Sequence, residues 1–192
     1  MQYSDNGYKK VKVTKGGVSE DEIKQALIGI GWRDPDGVLA ECKKHIEPNI
    51  EVLTKRYMIT REEALLIATY THNGDNSEAP YAKLNELLRG SMDVFQKKSE
   101  KSYLRLLLRT LRKLSRTKPQ TLYRGLNSYH YYKEGGDDTW KGFSSASKIM
   151  NPTQIFMAKS LYKKEGTLFE IRDMWGYDIA DFSKYPSEQG IK

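Results

Sequence analysis

The sequence is poor in cysteine: of 192 residues, only Cys42 carries a thiol. One thiol cannot close an internal disulfide, so a cysteine-stapled scaffold is excluded and the redox compartment stays open. Cys42 falls at helical spacing from Val38 and Leu39, and burial as a small hydrophobe is expected. No apolar run approaches the 18 residues of a membrane-spanning helix, so no membrane span is expected. The start, Met1-Gln2-Tyr3-Ser4-Asp5-Asn6, has no apolar run behind a basic opening and shows no secretory signal. That predicts a cytoplasmic protein, or one delivered by a non-classical route. The three histidines, His45, His72 and His130, lie far apart. None has metal-ligand spacing to another His or Cys, so no metal is expected.

What is present describes a folded protein. Hydrophobic residues make up 38%, charged residues 30%, and aromatics 11% with 13 tyrosines. A disordered chain would lack these aromatics. The length suffices to bury a core without metal or disulfide, as a single domain over 1–192. The net charge is +7, from 32 Lys and Arg against 25 Asp and Glu. Nine basic residues and one acid, Glu100, fall between Lys97 and Lys118, which leaves the rest of the chain close to neutral. Lys101, Arg105, Arg109, Arg112 and Arg116 step along one side of a predicted helix, and Leu104, Leu107, Leu108, Leu111 and Leu114 along the other. A solvated cationic face explains this pattern. An anionic partner, nucleic acid included, is the alternative, and salt-dependent binding would reveal it.

Residues 1–118 read as a helical lobe. Ser19–Glu22 and Thr60–Glu63 are capping-box patterns ahead of apolar stripes. Gly31 is a plausible stop, Asp34-Pro35-Asp36-Gly37 a turn, and Val38–His45 a short helix. Asn73–Ser77 is a loop, and a helix runs from about Pro80 to Gly90. Residues 119–192 read as β-rich. Strands are expected over Gln120–Leu126, Trp140–Ser147 and Thr167–Met174, with a short helix around Phe156–Ala158 and a last strand from about Glu188.

Three fragments of this second part carry chemistry. Leu122-Tyr123-Arg124-Gly125-Leu126 sets an arginine mid-strand beside a glycine. Trp140-Lys141-Gly142-Phe143-Ser144-Ser145-Ala146-Ser147 clusters hydroxyls. Gly176-Tyr177-Asp178-Ile179-Ala180 through Ser183-Lys184-Tyr185-Pro186-Ser187-Glu188-Gln189 brings an acid to a loop–strand junction. The order Arg, Ser-x-Ser, Glu resembles the mono-ADP-ribosyltransferases of the Arg–Ser–Glu class, which include actin-modifying binary toxins and arginine-specific transferases of animals. Tyr70-Thr71 and Asn85-Glu86-Leu87-Leu88-Arg89 look like helical elements of the toxin-type members. The resemblance spans about Glu62 to Gly190.

The resemblance implies an α+β fold: a split β-sheet core of ADP-ribosyltransferase type behind a helical N-terminal lobe. It implies NAD as substrate, nicotinamide as leaving group, and a target protein modified on arginine. Arg124 would clamp the pyrophosphate through its planar fork. Gly125 would let backbone approach the nicotinamide amide. Ser145 would hold Arg124 or the ribose, with Asn85 and Arg89 as further cofactor contacts. Glu188 corresponds to the first acid of the Glu-x-Glu pair, which holds and deprotonates the acceptor. The second acid, whose contact with the ribose stabilises an oxocarbenium-like state, falls at Gly190. A chain ending at Lys192 also leaves the sheet with an open edge. A truncated, disarmed or degenerate chain and a different motif register all fit these departures. A catalytically inactive binding module of the same fold, and a nucleic-acid binder using the basic helix, are the competing functions.

Overall fold

The computed structural model describes residues 17–72, 79–90, 100–126, 131–136, 140, 142–150, 166–184 and 190–191. Helix α1 (Glu20–Gly29) starts at the first capping box. Ser19 Oγ accepts the Glu22 amide at 3.2 Å, and Glu22 returns the contact to the Ser19 amide at 2.9 Å. Gly31, at φ +81°, takes the left-handed conformation beyond the helix end, where a side chain would be strained.

Asp34–Gly37, expected as a turn, is instead the start of α2 (Pro35–Ile46). Asp34 accepts the Gly37 amide at 2.9 Å, and Pro35 occupies the first helical position, where no amide is needed. Turns and helix starts use the same residues; the buried stripe Val38, Leu39, Cys42 and Ile46 decides between them. A single 3-10 turn, Glu47–Asn49, leads into α3 (Ile50–Tyr57), which the sequence did not announce. This helix has no side-chain cap bond and buries only Leu53.

Helix α4 (Arg61–Thr71) is the centre of the lobe. The Thr60–Glu63 box caps it, and every residue from Glu63 to Tyr70 is buried. Its burial all round follows from its neighbours: α2, α3, α5 (Pro80–Arg89) and α6 (Glu100–Leu111) all pack against it. Glu63 tolerates this place because Lys113 Nζ lies 2.6 Å from one carboxylate oxygen and the Thr60 amide donates to the other.

The predicted basic helix is shorter than its charge run. In α6 and just beyond it, Tyr103, Leu107, Leu111 and Leu114 are buried. Arg116 has left the helix: its backbone bridges to Tyr177 and its guanidinium lies 5.9 Å from that ring's centroid.

Among the described residues, four antiparallel strands form one sheet in the order β3-β1-β2-β4. They are β1 (Gln120–Leu126), β2 (Ala146–Ser147), β3 (Thr167–Met174) and β4 (Gly190–Ile191). β1 and β3 have the expected bounds. The strand expected over Trp140–Ser147 contracts to two residues, because Gly142 at φ +106° leaves extended geometry and the Phe143 backbone is bonded to a side chain instead. The expected loop Asn73–Ser77 and helix around Phe156–Ala158 lie outside the described residues.

After β3 the chain returns to the helices. Ile179 and Phe182 join the helical core. Arg56 and Tyr57 both bond Asp181, at 2.7 and 2.8 Å. Thr71 Oγ1 donates to the Phe182 carbonyl at 3.1 Å, and Lys184 reaches Glu41 at 2.8 Å. Residues 179–184 are thereby fixed against α2, α3 and α4.

Candidate active site

Side chains alternate along a strand, so Arg124 shares a sheet face with the buried Leu122. Its Nη1 donates to the Ser145 carbonyl at 2.6 Å and to the Ser145 hydroxyl at 3.4 Å. Its guanidinium stands over the Trp140 ring at 5.6 Å, a cation–π contact. Trp140 meets Phe169 edge-on at 5.0 Å, and Tyr132 meets the same ring at 5.3 Å. Phe169 is the strand partner of Arg124 across β1 and β3. One cation therefore sits in an aromatic corner.

Burial, and then the like charge of Arg89, pull the Arg124 pKa below the ordinary arginine value. No described carboxylate acts on it. An arginine remains protonated even so. The corner holds a partly desolvated positive charge with no carboxylate among the described residues to pair with it, which suits a phosphate.

The other sequence-derived residues fall around this pair. Gly125 follows Arg124 in β1, opposite Leu168. Arg89 closes α5 and is exposed. Asn85 is buried on α5, and its carboxamide bonds the backbone of Phe143, two residues before Ser145. Ser147 pairs with Tyr123 on one side and Gly190 on the other. Position 190 thus lies one strand from the hydroxyl motif and two from Arg124. Glu188 lies outside the described residues. The second hydroxyl of the motif is structural: Ser147 Oγ accepts the Ile149 amide at 3.1 Å.

Sequence reasoning missed Trp140 as the platform beneath Arg124, and quoted Tyr70 only as a helical element without linking it to Arg124, whose charge it favours. Tyr70 stacks edge-on against Phe143 at 5.6 Å. Trp140 stood in the quoted motif, but no local spacing pairs it with a residue sixteen positions earlier. Among the described residues, no group of three His, Cys, Asp or Glu is placed to hold a metal. No described helix is long and apolar enough to cross a membrane.

A helical lobe packed on a small antiparallel sheet, with a strand arginine bonded to the neighbouring hydroxyl motif, defines an ADP-ribosyltransferase-type fold. The family model for NAD:arginine ADP-ribosyltransferases matches residues 9–191, and the chain belongs to that family. Its fold is similar to that of the eukaryotic mono-ADP-ribosyltransferase ART2.2, solved as a glutamate-to-isoleucine mutant in complex with NAD. The TM-score is 0.65 at 20% identity, covering 90% of this chain and 74% of that one. No curated protein matches the sequence.

Proposed function

We propose that this chain binds NAD at Arg124 and transfers ADP-ribose to an arginine of a target protein, with Gly190 limiting the transfer. The observation that carries the reading is the Arg124–Ser145 pair: a partly buried guanidinium held by the adjacent strand, over Trp140, with no described carboxylate acting on it. Arg124 would hold the pyrophosphate, with Arg89 adding a second positive charge. Gly125 would leave room for the nicotinamide amide, and the Ser145 hydroxyl would hold the ribose or the guanidinium. Glu188 would orient and deprotonate the acceptor. Gly190 has no carboxylate for the ribose hydroxyl, which supports binding without efficient transfer as the second reading.

The nucleic-acid alternative has less support. The basic helix buries one face in the core, Lys113 is engaged by Glu63, and Arg116 packs on Tyr177.

Calorimetric titration with NAD tests the binding. Arg124→Ala should weaken it by roughly 10- to 100-fold, the loss of charge-assisted hydrogen bonds worth about 1.5–3 kcal/mol. Unchanged affinity would remove the phosphate clamp. Transfer from labelled NAD to an arginine-rich protein tests the rest. Gly190→Glu should raise it by orders of magnitude, since several kcal/mol of ribose contact return at about 1.4 kcal/mol per tenfold. No gain would reject the register that sets the second acid at position 190.

A further inference from the structure

The resemblance directs Asn85 at the dinucleotide, but its surroundings give it another task. Its Nδ2 donates to the Phe143 carbonyl at 3.0 Å, and its Oδ1 accepts the Phe143 amide at 2.8 Å. Two residues facing each other in an antiparallel ladder exchange the same two bonds. The Asn85 carboxamide supplies that pairing from a helix, so Phe143 is held as a strand residue would be. Asn85 is only 6% exposed, which leaves little of it for a ligand.

Gly142 makes the approach possible. A Cβ at this glycine would stand 2.8 Å from Asn85 Oδ1, and its φ of +106° already disfavours a side chain. The Phe143 ring meets the buried Tyr70 edge-on, so backbone and ring are both held by the helical lobe. Ser145 follows two residues later, offering its carbonyl to Arg124.

From this geometry we infer that Asn85 is a positioning residue rather than a contact to NAD: its carboxamide pins the Phe143 backbone and so sets where Ser145 meets Arg124. The inference rests on the reading of Arg124 and Ser145 as the NAD site. It departs from that reading in the role of Asn85.

The experiment pairs NAD titration with amide exchange at Phe143, followed by NMR on the full chain. Asn85→Ala should speed Phe143 exchange at least tenfold and weaken NAD binding. Gly142→Ala should do both, and the double variant should be little worse than either single one, because the residues act as one unit. Asn85→Asp accepts the amide but, when ionised, cannot donate to the carbonyl. Its NAD affinity should rise on acidification as the carboxyl gains a proton to donate, with no such rise in the natural chain. Weaker NAD binding in Asn85→Ala with Phe143 still protected would overturn the inference and make Asn85 a ligand. So would unchanged Phe143 exchange. If the alanine variant does not fold, Asn85→Asp decides: an affinity indifferent to pH overturns the proposal. If the natural chain binds no NAD, the NAD reading falls, and Phe143 exchange alone judges the clamp.

Discussion

Arg124 meets Ser145 chiefly through the backbone: Nη1 is 2.6 Å from the carbonyl and 3.4 Å from the hydroxyl. Removing the hydroxyl leaves the stronger bond in place. Ser145→Ala should therefore weaken NAD binding only a few-fold, about 1 kcal/mol or less. Arg124→Lys should lose more, because an ammonium has neither the planar fork nor the stacking surface that meets Trp140. Calorimetry on both variants checks this order, and equal losses would count against the backbone anchor.

The ion pair between Glu63 and Lys113 has one buried partner and one half-exposed partner. Lys113→Met would strand the buried carboxylate. A loss of about 2–3 kcal/mol is expected, below the 3–5 of a fully buried pair because solvent still reaches the lysine side. Lys118→Met, at an exposed position of the same basic run, should stay within about 0.5 kcal/mol. Urea unfolding of the two variants compares them.

Burial pushes the Cys42 thiol up to about 12, with opposing contributions from Lys184 and Glu41. The thiolate is the reactive form, so a thiol reagent at neutral pH should label the native protein very slowly and the denatured protein at once. Rapid labelling of the native protein would contradict the packing of α2.

Glu41 accepts hydrogen bonds from His72 and Lys184, which lower its pKa from 4.5 to about 2. A carboxylate depressed in the folded state favours folding above its unfolded value and loses that contribution as pH falls through the folded one. Thermal stability should therefore decline from about pH 4.5 toward pH 2 more steeply in the natural protein than in Glu41→Gln. Parallel melting curves would show that the contacts are too solvated to matter.

Local chemistry made much of the fold legible. Both capping boxes name their helices through contacts three residues long, and the strand-like runs Gln120–Leu126 and Thr167–Met174, set off by Gly and Asp, match β1 and β3. What failed was non-local. Trp140–Ser147 has strand-like composition, but Asn85, more than fifty residues earlier, takes the hydrogen bonds of Phe143. Helix α3 has neither a cap bond nor a buried stripe to mark it. In the site, order along the chain pointed to Arg124 and Ser145 as a pair. Trp140 beneath the guanidinium is a tertiary contact that no spacing encodes.

The return of residues 177–184 to the helices bears on how the molecule comes apart. Ile179 and Phe182 are plugs supplied by the sheet-bearing half to sockets in the other. A chain cut at Lys118 would keep α1 to α6 yet expose the apolar sockets those plugs fill. The two halves should melt in a single transition, and neither should serve as a stable fragment by itself.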